Sequence, residues 1–561
     1  MSAPTAGPLP AASVPASSRP VAAGVAPAVI ALVGVVILTL SAVLLLSGNP
    51  LLAAAPLLLL LVVVLFAALP LRVPLFGLVF LAALVDSQPI ELPASVTGIS
   101  DATIRAATAD PKLLEMIMSY AAWKPPLFPV YTLLFDNLNK VLPIEALRFS
   151  LVDLFYVLSI VLLMVRGLFR IRTDTAGRQP ATTALYLVAG LSLLGAVWLE
   201  VWGVGLRGGD FRQSLWQMRQ LFWLPTVTVL FVCAMRDFRD FNRAINLITA
   251  AVCLKLVIVI WYYFVVARPM HFEPATLTSH YDSILFTIAI VAWVSRFVHT
   301  GNWKYAILLA TLGNWVMLGI VLNNRRLCFV NLCVSLFIVF VMLKGPMKRM
   351  LMKKFIFVLP LLVAYVVVGQ AGNSRIFKPA KLVTSVIKQD DRSSSTRDVE
   401  NYNLLVTLKR AKLFGSGWGH EYVEAVKGDD ISTVFPQYRY MAHNGVLWLW
   451  TIGGLVGFTL LWMPISVGIF LARRAYNFAR SPDERAAAAL ALTMIVTYML
   501  QAWGDIGTQH LNSTLVLALA LAASAKMAVA NGAMPRHMRL FSFRRAEAPV
   551  SATVTWVGGV Q

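Results

Sequence analysis

Apolar stretches long enough to cover much of a bilayer recur along nearly the whole 561-residue chain, and this repetition limits the fold more than any other feature. At about 1.5 Å per residue, runs such as 57–69 and 306–322 reach across much of a hydrocarbon core about 30 Å thick. With 58% hydrophobic and 13% charged residues, water is not the main solvent of this chain. Apolar runs read against polar breaks predict spans near 24–47, 51–69, 73–86, 148–169, 184–206, 220–235, 244–266, 282–298, 305–322, 326–343, 355–371, 444–472, 486–504 and 510–530. The run 73–86 is short enough to re-enter rather than cross. The expectation is an all-α polytopic membrane protein with about 12–14 transmembrane helices.

Charge sets the expected orientation. Lys and Arg number 48 against 27 Asp and Glu, a formal charge of +21. Basic clusters occupy every second short connection: Arg170, Arg172 and Arg178; Arg236, Arg239 and Arg243; Arg296 and Lys304; Lys344 to Lys354; Arg473 to Arg485. Positive charge collects on the cytoplasmic side, so these loops and both termini are expected there. The excess charge fits anionic headgroups, and no basic stretch interleaves with stacking aromatics on a soluble module, so no nucleic-acid partner is expected and membrane lipids are. The Pro, Ala and Ser-rich tail 1–20 reads as disordered, 21–530 as the transmembrane domain and 531–561 as a basic cytoplasmic tail. Two long connections, 87–147 and 372–443, fall on the opposite side; in the first, Leu113, Leu114, Ile117 and Met118 are spaced as a surface helix.

The unusual residues gather on that non-cytoplasmic side. Arg207, Arg212 and Arg219 lie between the spans ending at 206 and beginning at 220, and Arg325 and Arg326 sit in a very short turn after Asn323 and Asn324. A guanidinium stays charged and offers forked donors to a diphosphate, although arginine here can also snorkel to headgroup phosphates. His443, in Met441-Ala442-His443-Asn444-Gly445 where the large loop re-enters the membrane, either caps a helix or takes a proton from a hydroxyl, with Asn444 expected to orient its ring. Within the loop, Ser393-Ser394-Ser395-Thr396-Arg397 precedes an amphipathic stretch with Leu404, Leu405 and Leu408, then Leu413-Phe414-Gly415-Ser416-Gly417-Trp418-Gly419. Gly415, Gly417 and Gly419 either let backbone approach a substrate closely or make a tight turn. Lys255 and Glu200, inside apolar runs, are expected to pair or snorkel. The four cysteines form no readable disulfide framework, and nothing spaces His, Cys or carboxylates for zinc; neither metal nor cofactor is expected.

This order of motifs resembles the O-antigen ligase and Wzy-type polymerase superfamily of membrane glycosyltransferases. The pieces that carry the resemblance are Arg325-Arg326, Thr396-Arg397, the glycine stretch 413–419, His443-Asn444 and Gly454 to Gly457, and together they cover roughly 320–460. The family's serine before the turn arginine is missing, so either Arg325 or Arg326 holds that position. Lys412 replaces a proline, and Ile452 stands where a glutamate is frequent. The resemblance implies a GT-C-like fold in a bacterial inner membrane with 372–443 as a periplasmic catalytic loop. It also implies transfer of a glycan from undecaprenyl diphosphate to an acceptor hydroxyl without a nucleotide sugar. Arg219, Arg325 and Arg326 would then hold the diphosphate and His443 would activate the acceptor. Arg207, Arg212, Arg397, Asn444, Gly415, Gly417, Gly419 and Trp418 would line the substrate path, with Trp418 either stacking on sugar or packing. The acceptor is a lipid-linked glycan in a polymerase, or lipid A-core in a ligase; the extra N-terminal spans and the 87–147 loop tilt the expectation to the polymerase. Polysaccharide assembly proteins are further partners on this reading. A transporter or flippase of lipid-linked sugars is the alternative from another class, and it would show two related halves, which are not visible here.

Overall fold

The computed structural model describes Val35, Ala42 and residues 69–85, 127–138, 149–168, 179–268, 277–323, 325–371, 377, 380, 392–428 and 437–537. The expected spans 24–47 and 51–69, the surface helix around 113–118 and the C-terminal tail beyond 537 lie outside or almost wholly outside these residues. The chain divides into two compact units, 1–74 with 154–176, and 75–153 with 177–561. Helices α1 (Arg72–Leu84) and α3 (Leu151–Leu168) run across the division; α2 is Phe128–Phe135.

The larger unit contains α4 (Thr183–Leu206), α5 (Phe211–Ala234), α6 (Phe238–Tyr262), α7 (Asp282–Thr300), α8 (Trp303–Asn323), α9 (Arg326–Met342), α10 (Pro346–Ala371), α11 (Arg392–Arg410), α12 (Gly445–Asn477), α13 (Pro482–Gly504) and α14 (Leu511–Ala530). Among the described residues, eight helices are long and apolar enough to cross a membrane, and α1, α3 and α9 are shorter apolar helices. No β-strand occurs among the described residues, so the protein is an all-α polytopic membrane protein. Backbone polar groups cannot turn to water in hydrocarbon, and the helix pairs them internally, which is why apolar runs of this length become helices.

Helix α12 is central, packed on α4, α13 and α14, while α7 packs on α13 and α5 on α14. Without a hydrophobic driving force between helices in lipid, close packing needs small residues at the contacts. A Cβ on Gly195 of α4 would lie 2.8 Å from Leu460, and one on Gly457 of α12 would lie 2.9 Å from Leu199, so each helix seats a leucine in the other's glycine notch. Alanines 486–489 of α13 and Ala518, Ala520, Ala522, Ala523, Ala525 and Ala528 of α14 are buried in the same way.

Two helix starts differ from the hydropathy reading. Helix α5 begins at Phe211, nine residues before the expected 220, because Asp210 caps it by accepting from the N–H groups of Arg212 (2.7 Å) and Gln213 (3.0 Å). Arg212 and Arg219 are therefore helical rather than in a loop. Its polar first turns face protein: Ser214 and Gln217 are buried. Helix α10 likewise starts at Pro346 and carries Lys348, Arg349, Lys353 and Lys354 in its first turns.

Helix α12 is broken at Gly454 (φ 57°, ψ −162°), which would orphan backbone groups inside the bundle. The glycine stretch 413–419 fills the gap. Ser416 and Gly417 N–H donate to Thr451 (3.3 Å) and Ile452 (2.9 Å) carbonyls, and Leu455 and Val456 N–H donate to Lys412 (2.9 Å) and Leu413 (3.0 Å). Gly415, Gly417 and Gly419 all have positive φ (67°, 80° and 79°), and a Cβ on Gly415 would fall 2.0 Å from the Ile452 carbonyl oxygen. On its other side the stretch meets the π-helical last turn of α4, 201–206, where a Cβ on Gly417 would be 2.3 Å from the Gly203 Cα. The two glycine motifs separated in sequence are one interlocked piece of backbone.

Candidate active site

The loop after α4, the turn between α8 and α9, the end of α13 and residues 411–428 and 437–444 are tied together at one end of the bundle. Gln217, fully buried on α5, donates to the Tyr440 carbonyl (2.5 Å) and accepts from Gly419 N–H (2.6 Å), while its own carbonyl accepts from Gln509 (2.7 Å). Arg207 donates to the Gly415 carbonyl (3.0 Å) and lies over Trp202, which donates to the same carbonyl (3.3 Å). Trp418 has no exposed surface; its indole donates to Ala196 (2.9 Å) and its ring packs near Trp448. It packs, and it leaves no face for a sugar. The glycine stretch, closed by Arg207 and Trp202, shapes the floor of this end.

His443 stands just before α12. Glu400, one residue of α11, accepts from the His443 backbone N–H (3.0 Å) and lies 3.2 and 3.3 Å from Nδ1 through its two oxygens. Asn444 does not orient the ring as expected from its position; its side chain caps α12 by accepting from Leu447 N–H (3.0 Å), and the carboxylate of Glu400 takes the orienting place. The hydrogen bond to the Glu400 carboxylate holds the His443 pKa above its ordinary value near 6.5, against burial and the Arg397 charge, with Asp505 adding to the rise. Arg397 is exposed one turn before Glu400 on α11. Of the three leucines predicted to form one apolar face, Leu404 is buried and Leu405 is 45% exposed, because the buried face of α11 runs through Glu400, Asn403, Leu404 and Thr407.

Arg325 precedes α9 and donates to His280 Nε2; His280 Nδ1 lies 3.6 Å from Asp505. Burial would raise the Asp505 pKa, but His280, the Ile506 N–H and His443 outweigh it, and the carboxyl is held below its usual range. The Asp505 charge thus sits beside His280, which accepts from Arg325, and its field reaches His443. Arg326 is the first helical residue of α9 and is half-buried. Arg219 is bound to Asp153 through both Nε (3.2 Å) and Nη2, and its Nη1 donates to Asn137 (3.1 Å). Trp223 also donates to Asp153 (2.7 Å), so this guanidinium already has an anion. Arg212 is exposed on the first turn of α5.

Beneath this end, Lys255 of α6 pairs with Asp282 at the start of α7 (2.8 Å), both side chains almost fully buried. Glu200 accepts from the Ser214 hydroxyl (2.7 Å). Sequence reasoning missed Glu400, His280, Asp505 and Asp153. His280 and Asp505 carried a usable signal: each is polar and directly abuts an apolar run on the same side as His443. Glu400, Asn403 and Thr407 carried another, a polar row at i, i+3 and i+7.

No curated protein matches this chain. A family model described as O-antigen ligase matches residues 306–462, a stretch that holds Arg325, Arg326, Arg397, Glu400, the glycine clamp, His443 and the broken helix α12. The match covers about a quarter of the chain, and it supports a place in the O-antigen ligase/Wzy superfamily and a ligase- or polymerase-type glycan-transfer function for this multi-pass membrane protein.

Proposed function

We propose that this protein transfers a glycan from undecaprenyl diphosphate to an acceptor hydroxyl at the periplasmic face of a bacterial inner membrane, and that it polymerises polysaccharide repeat units. The observation that carries the reading is that one end of the bundle holds both Arg325, set on His280 beside Asp505, and His443, set on Glu400, with Arg325 and His443 inside the matched stretch. A polyprenyl donor is confined to the bilayer while its sugars project into water, so an end of the bundle where basic residues meet a half-exposed histidine suits it. The alternating basic loops support cytoplasmic termini and a periplasmic site.

In this reaction the acceptor hydroxyl oxygen bonds to the anomeric carbon of the donor glycan. The carbon–oxygen bond to phosphate breaks and its electron pair leaves with undecaprenyl diphosphate. The hydroxyl proton goes to Nε2 of His443. Arg325 takes the family position and stabilises charge growing on the leaving diphosphate, with Arg326 beside it. Arg219 reaches the diphosphate by exchanging Asp153 for a phosphate oxygen. Arg397, Arg212 and Arg207 line the approach of the glycan.

The test is glycan analysis in cells lacking the endogenous protein and supplied with wild type, His443→Ala, or Arg325→Ala with Arg326→Ala, each checked for folding. Accumulation of single lipid-linked repeat units in the variants supports the polymerase; accumulation of long lipid-linked chains makes the protein a ligase. Unchanged glycan length and attachment in folded variants overturns the site.

A further inference from the structure

We propose that Glu400 is the positioning residue of this site: it fixes the tautomer and orientation of His443 and couples the base to the loop helix α11. The inference rests on His443 acting as the base. The geometry has three parts. A carboxylate 3.2 Å from Nδ1 requires that nitrogen to carry the proton, which leaves the Nε2 lone pair to accept one. The same carboxylate accepts from the His443 main chain (3.0 Å), so ring and backbone are held by a single group. The His443 side chain is 37% exposed and that of Glu400 only 11%, so the partner is shielded while the base reaches outward.

Helix α11 is itself held firmly behind Glu400. Asn403 donates to the Val426 carbonyl (2.8 Å) and accepts from Val426 N–H (2.9 Å), as a strand partner would. Thr407 accepts from Val423 N–H (2.8 Å), and Thr451 of α12 donates to the Leu404 carbonyl (3.3 Å). Glu400, Asn403 and Thr407 thus lie along one face, and the helix that carries Glu400 cannot rotate without breaking these bonds. The charged groups facing the His443 ring are Glu400 and Arg397 from α11 and Asp505 from the end of α13, itself paired with His280. Of these, Glu400 alone is in hydrogen-bond contact with the ring among the described residues.

The experiment measures kcat, KM and the pH–rate profile of the purified full-length protein in detergent, with undecaprenyl-diphosphate-linked repeat units as donor. Glu400→Gln, Glu400→Asp and His443→Ala are compared with wild type, and thermal stability is recorded for each. The expected result for Glu400→Gln is a fall in kcat of about 100-fold with KM nearly unchanged, and an acid limb displaced to lower pH. Glu400→Asp, too short to reach both the ring and the main chain but still anionic, is expected to keep more activity and most of the acid-limb position. If Glu400→Gln turns over at the wild-type rate, or loses activity in proportion to stability with the acid limb unmoved, the inference is overturned. If Glu400→Gln does not fold, Glu400→Asp carries the test: a reduced kcat supports the inference, and a kcat equal to wild type overturns it equally. Full activity in His443→Ala defeats the underlying reading instead, so the two failures are distinguishable.

Discussion

At the scale of single residues, the site contrasts two kinds of arginine. Arg219 already has a carboxylate, whereas Arg325 meets a histidine whose far side faces an anion. Arg325→Ala is therefore expected to lower kcat by about 10²- to 10³-fold, the usual loss for one preorganised donor at a charged transition state. Arg326→Ala is expected to cost less, and Michaelis kinetics on the two variants check the ranking. pH acts on the same residues in opposite senses. The His443 pKa is raised in the fold, so its contribution to stability is full below about 6.5 and is lost as pH rises through the folded value. Its activity as a base grows over that same rise. A thermal-unfolding series and a pH–rate profile on one preparation should thus cross. His443 and Arg325 were legible in the sequence because each interrupts a membrane boundary where such a residue needs a reason. Glu400 was missed: its polar row with Asn403 and Thr407 marks a face of the helix, but within a 72-residue connection nothing in the sequence says that His443 meets that face.

At the scale of elements, the glycine stretch shows how a motif that reads as a substrate loop can be a structural part. Alternation of glycine told that backbone would come close to something, and the something is the break in α12 and the end of α4. Sequence alone pairs no donor with a distant acceptor, so the two motifs could not be joined from spacing. Gly415→Ala and Gly417→Ala each force a side chain into positive φ and onto backbone at 2.0 and 2.3 Å. They are expected to lower the thermal midpoint in detergent and the folded yield, each destabilising by more than the ~1 kcal/mol that a Gly-to-Ala exchange gains at a permissive site. Ser416→Ala, which keeps the backbone bonds, should leave the midpoint unchanged. Trp418→Ala should cost about 3–5 kcal/mol, as a stability loss with KM little altered in what remains folded. The helices themselves were well read from apolar runs, except where a polar first turn is buried in protein, as in α5, or exposed and basic, as in α10.

At the scale of the whole molecule, a buried ion pair, Lys255 with Asp282, fastens α6 to the start of α7 below the arginine turn. Removing one partner strands the other charge, so Lys255→Met alone is expected to destabilise by about 3–5 kcal/mol, whereas Lys255→Met with Asp282→Leu should recover most of the loss. A double-mutant cycle on thermal stability reads the coupling. Five different connections place their exceptional residues at a single end, and the family match, 306–462, covers two of them. A transferase needs only one such end, because both substrates arrive on the same side; a transporter needs a path to the other.

The central claim is tested most directly with purified protein in detergent, given undecaprenyl-diphosphate-linked glycan and no second compartment, by following the release of undecaprenyl diphosphate and the mass of the glycan product. Steady release coupled to a longer or newly attached glycan is expected, lost in His443→Ala and in Arg325→Ala while both variants stay folded. An unaltered donor in this preparation, with lipid-linked glycan instead moving between leaflets once the protein is placed in sealed vesicles, would contradict it.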